Sequence, residues 1–173
     1  MTADHAAELE ALHPDAFGWA MHCCGGDQSL AEDVLQTAYV KVAEERARFD
    51  GQSAFRTWWF GVIRFTALEE LRRMKFRQSM LGRLLLRQAT PALHPSPAEE
   101  MAQSERARHL RTLLAELPAR QAEALHLVFY QDLTLAEAAE IMRVSLGSVR
   151  QHYERGKARL RELLKHSPLD GHE

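Results

Sequence analysis

Three groups of residues in this sequence have the types and spacing to do chemistry. The first is His22, Cys23 and Cys24, with His13 upstream, side chains that ligate zinc or exchange thiols. Neighbours on a helix point about 100° apart, so both thiolates and His22 reach one tetrahedral ion only through a distorted backbone. Buried structural cysteines are therefore preferred to a metal or redox sensor, and no metal is expected. The second group is aromatic: Phe55, Trp58, Trp59, Phe60 and Phe65 lie close together and run into Arg72, Arg73 and Lys75. Exposed rings beside cations make a platform for unpaired bases, each stacked base contributing about 1–3 kcal/mol. The third group is basic, with Arg143, Arg150, Arg155, Lys157, Arg159, Arg161 and Lys165 set against only Glu154 and Glu162. The remaining histidines lack ligand spacing, no catalytic triad is suggested, and no glycine-rich phosphate loop is present. Neither a catalytic residue, a cofactor nor a small-molecule substrate is expected.

The total charge conceals these groups. Lys and Arg number 22 and Asp and Glu 24, for a formal net charge of -2, which by itself argues against a polyanionic partner. The charges are segregated, however. Residues 1–40 hold Asp4, Glu8, Glu10, Asp15, Asp27, Glu32 and Asp33 without a single Lys or Arg. Residues 72–87 reverse the sign, with Arg72, Arg73, Lys75, Arg77, Arg83 and Arg87 and no acid. Two basic patches joined by a neutral stretch are the electrostatic footprint of a nucleic-acid partner. No run of about 18 apolar residues and no basic leader segment occurs, so a cytoplasmic protein is expected.

The elements that must position these groups are helices. Glycine and proline are sparse inside the periodic segments and no strand-like alternation persists, so an all-α chain is predicted. Residues 89–97, with Pro91, Pro95 and Pro97, stop helices and favour an extended tether. Two helical domains follow, over 1–88 and 104–173, joined by a linker at 89–103. In the first, Ser29 and Glu32 fit a capping box opening a helix over 30–48. Val34, Ala38 and Val42, with Leu35 and Tyr39, form its buried stripe, opposite a polar face of Asp33, Gln36, Thr37 and Lys41. After a turn at Asp50 and Gly51, Ser53 is expected to cap the aromatic helix. Phe55, Trp58, Val62 and Phe65 are expected to face the core, with Trp59 and Phe60 elsewhere. Residues 79–86, SMLGRLLL, fit a last core helix or a surface for a partner.

In the second domain, Leu110, Leu113, Leu114 and Leu117 follow helical spacing, and Pro118 ends that helix and opens another reaching about Tyr130. Thr134 and Glu137 form a second capping box, with Leu135, Ala138, Ala139 and Met142 on one face. A break at Arg143 and Val144 precedes Ser145, the expected cap of a basic helix to about Lys165. Two helices, a tight turn and a basic second helix make a helix-turn-helix. Val149 and Leu160 would pin its last helix. Ser148, Arg150, Gln151, His152 and Arg155 near its start can reach base edges in a major groove, while Lys157, Arg159 and Arg161 suit phosphates.

Taken in order, AEDVLQTAYVKV, FDGQSAFRTWWFGVIRFTALEELRR and LPARQAEALHLVFYQDLTLAEAAEIMRVSLGSVRQHYERGKARLREL resemble the extracytoplasmic-function sigma factors of bacterial RNA polymerase, the compact kind with two domains. The resemblance spans roughly 17–77 and 110–164. It implies a region 2 domain that binds core polymerase and opens the minus-ten promoter element. A region 4 domain would read the minus-thirty-five element. On this pattern Asp33, Gln36, Thr37 and Lys41 would meet the polymerase. Trp58, Trp59, Arg64, Glu69, Arg72, Arg73 and Lys75 would meet minus-ten DNA, the last three from a basic loop. Ser148, Arg150, Gln151, His152, Arg155, Lys157 and Arg159 would meet minus-thirty-five DNA. Such factors are not enzymes and are commonly held by a membrane-associated anti-sigma factor. The chain departs from the pattern at Gly61, where the family often has Arg, at Phe65, often Asn, and at Thr37 and Ala38, often Glu-Thr. Glu69 stands where Asp or Asn is usual. The alternative is a helix-turn-helix regulator whose first block senses a signal or dimerises.

Overall fold

The structure is a computed structural model that describes residues 3–84 and 113–165, with side chains described for 5–79 and 113–165. The chain divides into two compact units, Met1–Ser96 and Pro97–Glu173, and the expected linker at 89–103 lies outside the described residues. All regular elements among the described residues are helical.

The first unit holds α1 (Ala3–Ala11), α2 (His13–Cys23), α3 (Gln28–Ala43) and α4 (Phe55–Leu84). Pro14 sits in the first turn of α2, where its missing N–H costs nothing and its fixed φ suits the helix. Cys24 caps α2 at its C-terminus, and the chain then turns through Gly25 and Gly26 at φ of 66° and 88°, a left-handed path that only glycine takes cheaply. The cap of α3 is not Ser29. Asp27 Oδ1 accepts from Leu30 N at 3.0 Å, while Gln28 Nε2 engages Glu32 and removes Glu32 from the expected box. The helix also ends at Ala43, short of the expected Arg48.

Helices α2, α3 and α4 pack on one another. Val34, Leu35, Ala38 and Val42 form the buried stripe of α3 as expected, and Tyr39 is half-buried. Trp19 of α2 is fully buried and donates Nε1–H to Phe60 O at 3.0 Å. This bond satisfies a polar atom that would otherwise be costly in the core. Arg56 pairs with Asp15 at 3.1 Å, and His13 Nδ1 bonds the Tyr39 hydroxyl at 3.0 Å. Helix α1 adds Leu9 to the core and stacks the His5 ring on Phe55, with centroids 4.9 Å apart.

The second unit begins, among described residues, with a short helical stretch at 113–115 that buries Leu113 and Leu117, Leu114 being half-buried; Leu110 lies outside. Then come α5 (Ala119–Leu125), a π-helical turn (His126–Tyr130), α6 (Leu135–Met142) and α7 (Leu146–Lys165). Pro118 opens α5, and the Thr134–Glu137 capping box of α6 is complete in both directions. Arg143 takes a left-handed φ of 53° and closes α6. Ser145 Oγ accepts from Ser148 N at 3.1 Å and starts α7. Val149 and Gly156 are the buried residues of α7, whereas Leu160 is only half-buried. A Cβ at Gly156 would stand 3.0 Å from Leu125 Cδ1 and 3.2 Å from Gln121 O, so the absence of a side chain lets α5 and α7 approach.

Candidate functional site

Three surfaces carry the candidate residues. The first is the outer face of α3, where Ser29, Glu32, Asp33, Gln36 and Val40 are exposed and Thr37 is half-buried. Val40 was not expected here; an apolar side chain 44% exposed within a polar stripe is the kind of residue that anchors a partner contact. Lys41 leaves this set. Its side chain is 13% exposed and its Nζ reaches Glu69 Oε2 at 2.5 Å and Thr66 Oγ1 at 3.0 Å.

The second surface is on α4. The basic stretch expected as a loop is instead helical, continuous with the aromatic segment through Leu84. The expected core register is also shifted. Trp59 and Phe60 are 0% exposed, and Phe65, expected inward, is 45% exposed. The reason is that α4 packs against both α2 and α3, so a wide face is covered instead of a stripe. Trp59 therefore cannot stack on a base, and Arg64, 8% exposed, lies within the packed half of the helix. Trp58 remains half-buried at a cavity of about 230 Å³ whose wall includes His5, Arg48, Phe49 and Phe55. Phe49 was missed by the sequence reading; its ring is 5.4 Å from Trp58 and 5.2 Å from Phe55, and only its isolation in a polar stretch, RFDGQ, could have marked it. Further along α4, Arg72, Lys75, Phe76 and Arg77 are exposed. Arg73 pairs with Glu70 at 2.6 Å. Glu69 lies mid-helix, so the expected end of the helix near it moves to Leu84. Of SMLGRLLL, the backbone is helical to Leu84 and the side chains from Met80 onward lie outside the described residues.

The third surface is the outer face of α7. Arg150, Gln151, Arg155 and Arg159 are exposed along it, Arg159 loosely paired with Glu162 at 3.4 Å. Ser148 is half-buried and its Oγ bonds Ser145 Oγ at 2.8 Å, and His152 is half-buried. Lys157 turns back to Glu154 at 3.1 Å and to the Tyr153 ring at 4.7 Å. The π-helical turn before α6 leaves Phe129 and Tyr130 exposed, Phe129 lying 5.7 Å from Tyr153; no periodicity argument anticipated this pair.

The cysteines lie apart from these surfaces. Cys24 is buried, and desolvation with Asp27 nearby pushes its thiol up to about 12. Among the described residues no three His, Cys, Asp or Glu side chains are grouped to hold a metal ion.

Residues 9–77 match the family model for Sigma-70 region 2, and residues 113–162 match that for Sigma-70, region 4. The ECF RNA polymerase sigma factor SigX of Bacillus subtilis is 29% identical over 93% of this chain and 85% of its own length. The chain belongs to the extracytoplasmic-function sigma factors. The sigma factor CnrH of Cupriavidus metallidurans is 26% identical over 91% of this sigma factor and 85% of that protein. Among solved structures, RpoE in complex with the anti-sigma factor NepR from Bartonella quintana shares the fold at a TM-score of 0.74. It is 24% identical, over 95% of this chain and 98% of that one. CnrH in complex with the cytosolic domain of CnrY does so at 0.63 with 23% identity, over 93% and 88%. As a sigma factor the protein binds core RNA polymerase and directs it to promoters, and the region 2 match replaces the alternative of a sensor or dimerisation block at residues 9–77. No helix of the described residues is long and apolar enough to cross a membrane.

Proposed function

We propose that this sigma factor divides initiation among the three surfaces. Over the domains read at 1–88 and 104–173, the α3 stripe of Asp33, Gln36 and Thr37, with Val40 at its edge, docks on core polymerase. Trp58 with Phe49 stacks unpaired minus-ten bases, and Glu69, Arg72, Arg73 and Lys75 face the same strand. In the second domain Arg150, Gln151 and Arg155 read minus-thirty-five base edges, flanked by Ser148 and His152. Arg159 and Lys157 meet phosphates, which fix position without reading sequence. The observation that carries this reading is that Arg72, Lys75, Arg150 and Arg155 stand exposed and make no ion pair among the described residues. Cations left open to solvent on both units are what two DNA contacts require.

The protein itself performs no catalysis; unstacking a base step costs a few kcal/mol and is met by stacking and pocket contacts. It acts in the cytoplasm under an anti-sigma factor, a reading supported by RpoE in complex with the anti-sigma factor NepR and CnrH in complex with the cytosolic domain of CnrY, and a membrane anchor on that partner would couple it to an outside signal. Exposed Phe129, Tyr130 and Leu146 offer such a partner apolar contact beside the basic face. The test is transcription: full-length protein added to core RNA polymerase should give run-off products from promoters enriched out of a randomised library. Absence of binding to core polymerase would sink the reading.

A further inference from the structure

Lys41 and Glu69 were expected on two different surfaces, one facing polymerase and one facing DNA, and the fold joins them. Lys41 reaches across from α3 to α4, donating to Glu69 Oε2 at 2.5 Å and to Thr66 Oγ1 at 3.0 Å. Its ammonium also stands 5.4 Å from the centre of the Phe65 ring. An ammonium has three donors and no acceptor, so two protein oxygens and one ring face account for all of it. Thr66 is itself fixed, its hydroxyl donating to Val62 O at 2.9 Å and leaving a lone pair for Lys41. Of the two cations one turn further along α4, Arg73 is taken by Glu70 at 2.6 Å and Arg72 stands exposed with no ion pair among the described residues. Glu69 thus has one oxygen held and the other, Oε1, without a hydrogen-bond partner among the described residues, on a side chain 32% exposed.

We infer that Lys41 is a positioning residue for base selection through Glu69, and not a polymerase contact. Two physical effects follow from the pair. The ammonium offsets a carboxylate charge that would otherwise repel the phosphates drawn in by Arg72 and Lys75. It also fixes the carboxylate plane, so that Oε1 accepts from an exocyclic amino group. Cytosine N4 and adenine N6 are such donors; thymine, which has no amino group, is refused, and guanine is refused wherever it presents the O6 edge, an acceptor at the position of those amino groups. The inference rests on the reading of α4 as the minus-ten surface.

The experiment uses holoenzyme assembled from the full chain and core RNA polymerase, challenged with a promoter library randomised over the minus-ten element and sequenced after transcription. Wild type should enrich cytosine or adenine at one position. Lys41→Met should lower that preference on the order of tenfold, with the affinity for core polymerase unchanged. Lys41→Arg should keep most of the preference. Glu69→Gln, whose amide offers a donor as well as an acceptor, should admit thymine and guanine, and the double variant should be no worse than either single one. Should Lys41→Met fold poorly in a melting assay, Glu69→Gln, which leaves Lys41 bonded to Thr66, carries the test alone. An unchanged preference in Glu69→Gln overturns the inference, as does a Lys41→Met that loses core polymerase affinity while selecting the same bases. A wild-type holoenzyme that enriches no minus-ten sequence at all would instead remove the α4 reading on which the inference stands.

Discussion

Helices α4 and α7 both send cations into solvent, yet they are built on opposite plans. The first half of α4 is covered by α2 on one side and α3 on another, burying Phe55, Thr57, Trp59, Phe60, Ile63, Thr66 and Ala67. Helix α7 also packs against two helices, α5 and α6, but its contact is narrow and fully buries only Val149 and Gly156. A helix with one buried edge shows its outer face in its sequence, because apolar residues recur only where the edge returns. A helix covered over a wide face has too many apolar positions for the period to say which ring points out. That is why Arg150, Gln151 and Arg155 of α7 are exposed where the spacing predicts, whereas Trp59 of α4, expected away from the core, is buried and Trp58, expected to face it, is only half-buried.

The sharpest way to break this contrast is Trp59→Ala. If Trp59 is core, the first unit should lose about 3–5 kcal/mol of stability in denaturant unfolding. Loss of promoter opening at full stability would return Trp59 to the DNA surface. Trp59→Phe is the refinement: the indole Nε1 is buried without a partner, so removing it while keeping most of the ring should cost less than about 1.5 kcal/mol.

Gly156→Val asks the same question of α7. A side chain pressed against Leu125 and the Gln121 carbonyl should cost about 1–3 kcal/mol and lower DNA affinity through the fold. An unaffected melting temperature would mean α5 and α7 are less tightly apposed than the geometry shows.

On the outer face of α7 the effects should separate by chemistry. Arg150→Ala should relax preference at one or two minus-thirty-five base pairs by about 1–3 kcal/mol. Arg159→Ala should leave preference intact and flatten the slope of log affinity against log salt by about 0.9. The Arg159–Glu162 pair is exposed on both sides and adds little of its own. Equal effects of the two substitutions on preference would erase the distinction between reading and positioning.

The smallest effect is chemical. Cys24 has its thiol raised from 9.0 to about 12, first by burial and then by Asp27. An acid whose folded pKa is raised is favoured neutral, so its contribution to stability is complete below the unfolded value and is lost as pH climbs from about 9 toward 12. Between pH 6 and 8 stability should not change on its account, and Cys23, half-exposed, should react with an alkylating reagent well before Cys24. Cys24 reacting first at pH 7 would contradict its burial.

What was legible in the sequence was local. The Thr134–Glu137 box, the break at Arg143 and the cap at Ser145 each depend on residues three or four apart, and each formed as expected. The cap of α3 was misread: the Ser29–Glu32 spacing fits a capping box, but Asp27 two residues earlier is equally fit to cap, and with Glu32 engaged by Gln28 it is Asp27 that accepts from Leu30 N. Least legible were contacts made across the fold. The Lys41–Glu69 pair joins residues 28 apart, the wall of Phe49, Phe55 and His5 assembles from three segments, and the π-helical turn that exposes Phe129 departs from the period every spacing argument assumed.

The unbroken course of α4 changes how its charges act. Thirty residues at about 1.5 Å each make a rod of roughly 45 Å, and on it Arg72 and Lys75, three residues apart on one side, start from Cβ atoms only about 5–6 Å apart. That is inside the Debye length of about 8 Å at physiological salt. At that ionic strength these cations therefore present one shared field to a passing strand, which is felt before any single contact forms. At about 1 M salt the screening length falls to roughly 3 Å, and the same rod becomes a row of separate charges.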